Sequence, residues 1–150
     1  MTEDLRPCAP AGLPLASLIP GAPGLVTGVS LDSRRIRPGD LYVGLPGAVT
    51  HGARFAEAAA AAGAVAILTD EAGRPDATSA GIPVVVVADP RVTMAQIAAD
   101  LYGRPAERTR LYGVTGTNGK TSTVFLLDAA LTALGHRVAT IGTIGFRVGG

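Results

Sequence analysis

The 150-residue chain is 47% hydrophobic and 17% charged with a formal net charge of +1, so it has ample apolar material for a core. Arg34, Arg35 and Arg37 are its densest basic group, which argues against an electrostatic nucleic-acid surface. The single cysteine, Cys8, excludes an internal disulfide framework and fits a reducing cytosol, and every apolar run is far short of a bilayer span.

Residues 1–6 carry acids and no long apolar run, so no secretory signal is read there, and a soluble cytoplasmic protein without membrane insertion is expected. Pro7, Pro10, Pro14, Pro20 and Pro23 make residues 1–24 a loosely structured lead-in, with one helical turn at the apolar patch 15–19. Residues 24–31 alternate weakly and predict a strand; the polar connection 32–40 closes on a Pro38-Gly39 turn, and residues 41–45 predict a second strand followed by a loop over 46–52. The alanine-rich segment 53–62 predicts a helix with Phe55, Ala58, Ala59 and Ala62 on one face and Gly63 as its stop. Residues 65–68 and 84–87 are short β-branched runs expected to be strands buried on both faces. Pro90 opens a helix running to about Tyr102, with Met94, Ile97, Ala98 and Leu101 as its apolar stripe.

Gly103-Arg104-Pro105 punctuates the chain, and a domain boundary is placed near 103–108, giving domains 1–105 and 106–150. Beyond it, residues 111–114 predict a strand. Residues 121–134 predict a helix burying Val124, Leu127, Leu131 and Leu134, and Gly135 caps it; His136 follows as a carbonyl cap. A further strand is expected over 138–141 before Gly142-Thr143-Ile144-Gly145. Alternating strands and helices predict an α/β fold. The expected architecture is a small N-terminal α/β substrate domain followed by the truncated start of a P-loop domain with a parallel sheet, since such a domain needs on the order of 100–200 residues.

The most informative segment is Gly113-Val114-Thr115-Gly116-Thr117-Asn118-Gly119-Lys120-Thr121, a glycine loop between a predicted strand and a predicted helix. Glycines at 116 and 119 let the backbone turn its N–H groups toward an anion, and the helix N-terminus adds unpaired N–H groups and partial positive charge. Lys120, the sole lysine, can reach terminal phosphates, and the Thr121 hydroxyl is placed to bind Mg²⁺. ATP is the expected nucleotide, held by Gly116, Thr117, Asn118, Gly119, Lys120, Thr121 and Ser122. Val114 stands where the general pattern has its outer glycine. No metal-ligand cluster and no Ser/His/Asp arrangement is evident in the sequence.

Gly116-Thr117-Asn118-Gly119-Lys120-Thr121 resembles the ATP loop of the Mur ligases, which join amino acids to a UDP-linked muramoyl peptide. That family places Asn before the second glycine and lacks the outer glycine. Folylpolyglutamate and cyanophycin synthetases share related loops, so the loop alone does not choose among them. A second resemblance lies in Leu31-Asp32-Ser33-Arg34 and the run from Pro38-Gly39-Asp40 to Leu45-Pro46-Gly47, similar to an N-terminal domain shared by two Mur ligases. The resemblance implies that Leu31 and Ser33 contact the uridine portion of the nucleotide substrate and that Ala48, Val49 and Thr50 line the second loop. From the residues alone, Asp32 and Ser33 shaping a turn, with Arg34 a solvated cation, is the commoner outcome. Where the family has an acidic residue in the second loop this chain has His51, expected to be a solvated loop side chain and no part of the site.

The glycine loop together with Gly142-Thr143-Ile144-Gly145 resembles the family member that adds the third residue to UDP-MurNAc-L-Ala-D-Glu. The resemblance implies an ATP- and Mg²⁺-dependent ligase in which Lys120 is catalytic, the added residue is meso-diaminopimelate or L-lysine, and the protein is a monomer. The D-Ala-D-Ala-adding ligase, a non-catalytic nucleotide-binding module and a small P-loop kinase remain the alternatives. Further metal ligands and the amino-acid pocket would lie downstream, so residues 1–150 alone are expected to be inactive.

Overall fold

A computed structural model describes residues 11–149, and these form an α/β structure. The expectations placed on residues 1–10, including Cys8, Pro7 and Pro10, lie outside the described residues. The chain divides into two compact units, Met1–Arg108 and Thr109–Gly150.

The first unit is built on four parallel strands in sequential order: β3 (Gly28–Ser30), β4 (Asp40–Val43), β5 (Ala66–Thr69) and β6 (Val84–Val86). A separate antiparallel pair, β1 (Leu13–Pro14) and β2 (Leu25–Val26), precedes them, with one 3₁₀ turn at Leu15–Ser17. The single strand expected over 24–31 is thus two, β2 and β3, in different sheets. Successive strand residues point to opposite faces, and each face has its own core. Leu41, Val43, Ala66 and Leu68 pack with Ile97 and Leu101 of helix α3 (Pro90–Leu101), and with Leu15 and Val26. Tyr42 and Ile67 face the other way, onto Ala53, onto Ala56 and Ala59 at helix α1 (Ala56–Ala61), and onto Ala77 of helix α2 (Arg74–Ser79). Small alanines let α1 and α2 lie close to the sheet, and every residue of β4 and β5 is buried.

Three details depart from the sequence reading. The segment before α1 is a 3₁₀ helix, Gly52–Phe55, so burial recurs every third residue at Ala53, Ala56 and Ala59, while Phe55, Ala58 and Ala62 are exposed. Strand β6 is only half-buried, because it ends the sheet order and has a hydrogen-bonded neighbour on one side alone. Helix α2 has no counterpart in the sequence reading: it is six residues long with one buried residue, Ala77, too little to make a periodic signal.

The second unit contains helix α4 (Lys120–Ala133) and an antiparallel hairpin, β7 (Ala139–Gly142) with β8 (Gly145–Val148), turned by Thr143-Ile144. Helix α4 ends in a Schellman motif: Gly135 at φ +84° donates to the Thr132 carbonyl, and the His136 backbone N–H donates to Leu131. His136 therefore caps through its backbone. The strand expected over 111–114 does not form; Leu111 is 75% exposed, and among the described residues nothing pairs with this run. A parallel strand needs neighbours at both edges of its backbone to be buried, and the hairpin of this unit pairs only with itself. Val124, Leu127 and Leu131 are half-buried on α4 and Leu134 is exposed, so the expected apolar face is only partly covered. The buried α4 side chain is instead Asp128, which accepts from Thr132 (3.4 Å) and pairs with Arg147 of β8 (3.5 Å).

Candidate functional site

In the second unit, residues 116–119 bend rather than extend and run directly into α4. Gly116 has φ +147° and Gly119 has φ +76°, a region that L side chains rarely adopt. A Cβ on Gly119 would meet no atom within 4 Å, so conformation alone selects glycine there. The bend delivers the first turn of α4, where Lys120, Thr121 and Ser122 have N–H groups with no intrahelical acceptor; the Gly119 carbonyl takes its first bond from Thr123, at 2.9 Å. Among the described residues no side chain caps this helix start. The helix dipole adds positive potential at the same place.

Lys120 folds back over the loop, its Nζ donating to the carbonyl of Gly116 and, at 3.3 Å, to that of Thr117. Thr117, Asn118, Thr121 and Ser122 are all exposed around it. The segment thus gathers backbone donors, one ammonium and three hydroxyls on a solvent-facing turn, which is the chemistry of an anion cradle. The Thr121 hydroxyl suits Mg²⁺, which takes few protein oxygens and fills its octahedron with phosphate oxygens and water. Among the described residues no three His, Cys, Asp or Glu side chains converge on a metal position.

In the first unit, the expected substrate residues sit at the carboxyl ends of adjacent parallel strands: Leu31 and Ser33 just after β3, and Ala48, Val49 and Thr50 in the loop after β4. That edge is where open parallel sheets receive ligands. Asp32 organises the first of these loops. Its carboxylate accepts the Arg34 backbone N–H at 3.0 Å and a bidentate clasp from the Arg34 guanidinium at 2.9 Å, capping the 3₁₀ turn Ser33–Arg35. Arg34 hydrogen-bonded to it holds the Asp32 carboxyl down to about 2. The Ser30 hydroxyl donates to the Asp32 carbonyl at 3.0 Å and tightens the same turn. Asp32 and Arg34 are therefore spent on each other, which leaves Leu31 and Ser33 as the groups the loop can present.

The second loop is pinned at its base. Gly44 donates to Leu68 at 2.9 Å, Gly52 donates back to Leu45 at 2.8 Å, and the buried Tyr42 hydroxyl donates to the Gly52 carbonyl at 2.7 Å. Burial, and after it the charge of Asp32, push the Tyr42 phenol above its ordinary value, which keeps it a donor. A Cβ on Gly44 would lie 2.8 Å from the Ala53 nitrogen, so this glycine is needed for space. Above the base, Ala48 and Val49 project into solvent, Val49 with 99% of its surface exposed, and the Thr50 hydroxyl accepts from Arg54 at 3.1 Å.

His51 is not the solvated side chain its loop position predicts. Its side chain is 18% exposed, its Nδ1 accepts the Ala53 N–H at 3.1 Å, and its Nε2 lies 3.0 Å from Asp70 Oδ1. The N–H directed at Nδ1 places the ring proton on Nε2, which donates to Asp70. Asp70 lies at the end of β5 and also accepts the Gly73 N–H at 2.9 Å. Sequence reasoning passed over Asp70 and Gly73; the available signal was an Asp and a Gly three residues apart directly after a buried strand. Two concavities flank Asp70. One of about 460 Å³ is lined by Glu71, Arg74, Val86 and Ala88 among others, and one of about 240 Å³ by Leu45, Pro46, Asp89 and Arg91 among others. Neither of these two concavities is lined by Leu31, Ser33, Ala48, Val49 or Thr50.

Comparison with known proteins gives four findings. Residues 25–102 match the model of the Mur ligase family, catalytic domain. The chain is 44% identical over 151 aligned residues to the UDP-N-acetylmuramoyl-L-alanyl-D-glutamate--2,6-diaminopimelate ligase of Streptomyces avermitilis, covering 96% of this chain and 30% of that protein. It is 47% identical over 155 aligned residues to the UDP-N-acetylmuramyl-tripeptide synthetase of Leifsonia xyli, covering 97% of this chain and 30% of that one. Among solved structures it resembles the MurF ligase from Thermotoga maritima in complex with ADP, with a TM-score of 0.56 and 26% identity over 72% of this chain and 24% of that chain. The chain therefore spans about 30% of the length of these curated relatives.

Proposed function

The chain belongs to the Mur ligase family, and from that membership we propose that it is part of an ATP-dependent ligase adding the third amino acid to UDP-MurNAc-L-Ala-D-Glu. The substrate's D-Glu γ-carboxylate oxygen attacks the γ-phosphorus of ATP, the bond to ADP breaks, and an acyl phosphate forms. The amine of the incoming amino acid then attacks the acyl carbon, phosphate leaves, and the amine's proton passes to solvent or base. Residues 1–105 serve the nucleotide end of the substrate through Leu31, Ser33, Ala48, Val49 and Thr50; residues 106–150 begin the ATP-binding domain.

The observation that carries this reading is the bent glycine loop 116–119 entering α4 with Lys120 folded over it. In the reaction, Lys120 exchanges the loop carbonyls for phosphate oxygens, and the N–H groups of 116–122 stabilise charge spreading over the transferring phosphoryl group. Thr121 is the residue that would hold Mg²⁺, and the ion would supply further charge neutralisation there. The relatives named as 2,6-diaminopimelate ligases support meso-diaminopimelate over L-lysine as the added residue. Identities of 44% and 47% to third-residue ligases, against 26% to a MurF ligase, favour this reaction over D-Ala-D-Ala addition. The enzyme acts as a cytoplasmic monomer, with no nucleic-acid partner; no helix among the described residues is long and apolar enough to cross a membrane.

Lys120→Ala in the complete protein tests this. Ligation and ADP release should fall by about 100-fold or more, while calorimetric affinity for UDP-MurNAc-L-Ala-D-Glu persists. Near-normal ATP turnover by that variant would overturn the loop assignment. ATP binding by the wild-type protein with no ADP formed in the presence of both co-substrates would instead mark a non-catalytic nucleotide module.

A further inference from the structure

We propose that His51 and Asp70 form a bracket that positions the substrate loop 46–50, making both residues determinants of affinity for the nucleotide substrate; this rests on the function proposed above. The residues Ala48, Val49 and Thr50 directly precede His51, so the orientation of His51 fixes where their backbone begins its return to the sheet. The imidazole is held from both sides. Ala53 N–H donates to Nδ1 at 3.1 Å, capping the 3₁₀ helix Gly52–Phe55, and Nε2 donates to Asp70 Oδ1 at 3.0 Å. The same carboxylate oxygen takes the Gly73 N–H at 2.9 Å, so the bracket joins the loop after β4 to the turn after β5.

The ring's seat is also shaped sterically. A Cβ on Gly73 would stand 2.5 Å from His51 Cε1 and 2.2 Å from the Thr69 hydroxyl, which itself donates to the Gly44 carbonyl at 2.9 Å. Gly73 thus leaves room for one imidazole between two loops. Both side chains of the pair are mostly sheltered, 18% and 19% exposed, while Val49 is 99% exposed, so a rigid base carries an open tip. A loop whose base is already ordered loses less conformational freedom when a ligand binds its tip, and that difference appears in affinity.

The test measures UDP-MurNAc-L-Ala-D-Glu affinity by calorimetry, together with kcat and the KM for ATP, in the complete protein. His51→Ala and Asp70→Ala should each weaken nucleotide-substrate binding by about tenfold, with kcat and the ATP KM within about twofold of wild type. The double variant should be no weaker than either single one, because one bracket is lost in all three. Asp70→Asn retains an acceptor for both N–H groups and should restore affinity to within about threefold. His51→Asn keeps an acceptor for Ala53, but its shorter side chain does not carry its amide donor out to Asp70, so it should fall between; with Asp70→Asn it carries the test if an alanine variant fails to fold. Undiminished affinity in the alanine variants or in His51→Asn, additive losses, or equal changes in the ATP KM and kcat would overturn the bracket. Wild-type binding with undiminished variant affinity overturns it alone, whereas no binding by the wild-type protein overturns both it and the proposed function.

Discussion

The two units of the chain use the same vocabulary, a glycine-rich turn leading from one element into a helix, yet they complete it to different degrees. In the first, β4 and β5 are buried along their whole length because α3 covers one face of the sheet and α1 and α2 the other. In the second, α4 carries an apolar stripe of similar strength, but Val124, Leu127 and Leu131 are only half-buried and Leu134 is 74% exposed. The contrast separates two sources of structure. A loop conformation such as that at Gly116 and Gly119 is set by local dihedral preference and survives without a sheet behind it. Burial of a strand such as 111–114 needs neighbours, and among the described residues it has none.

The contrast can be broken most directly in the cores. Ile67→Ala removes a fully buried side chain from the centre of β5 and should destabilise the first unit by about 2–5 kcal/mol, whereas Leu134→Ala on α4 should change stability by less than about 0.5 kcal/mol. Chemical denaturation followed by far-UV circular dichroism checks both; equal losses would mean that the second unit has a core as complete as the first.

A smaller effect separates the glycines. Gly44→Ala places a Cβ 2.8 Å from the Ala53 nitrogen and should cost about 1–3 kcal/mol through overpacking, with the loss falling on the first unit. Gly119→Ala meets no neighbouring atom, and its cost of about 1–2 kcal/mol comes only from holding an L residue at φ +76°. That penalty should appear as weaker ATP binding with little change in the melting temperature of the first unit, and the two measurements together distinguish a glycine needed for space from one needed for conformation.

The smallest effect is local and electrostatic. The Asp32 carboxyl is lowered to about 2, chiefly by its hydrogen bonds to Arg34. Since its folded value lies below the ordinary carboxylate value of about 3.9, the clasp stabilises the turn above that range and its contribution is lost as pH falls through about 2. A carboxyl-carbon NMR titration should find Asp32 near that value, and Arg34→Ala should move it back toward the ordinary one.

The amino-acid sequence was most readable where chemistry is local. The glycine loop needs positive φ at Gly119, helix α3 opens with Pro90 in its first turn, and α4 needs Gly135 in its Schellman turn. Each of these is a short-range requirement that a few residues express by themselves. The apolar runs of β4 and β5 were equally readable, since strands covered on both faces are written as continuous hydrophobic segments. Less readable was the face of α1, because the preceding 3₁₀ turn replaces a period of 3.6 with one of three and moves burial to Ala53, Ala56 and Ala59.

Sequence order and residue type alone thus specified an α/β chain, its buried apolar strand runs, and a glycine turn entering a helix at the sole lysine, because dihedral preference and hydrophobic spacing act between near neighbours. Long-range packing specified the rest: that β6 lies at the sheet edge, that the run 111–114 pairs with no strand among the described residues, and that His51 meets Asp70 across 19 residues of sequence. Those outcomes depend on which strands pair and how two separate loops converge on one sheet edge, and no local pattern encodes that geometry.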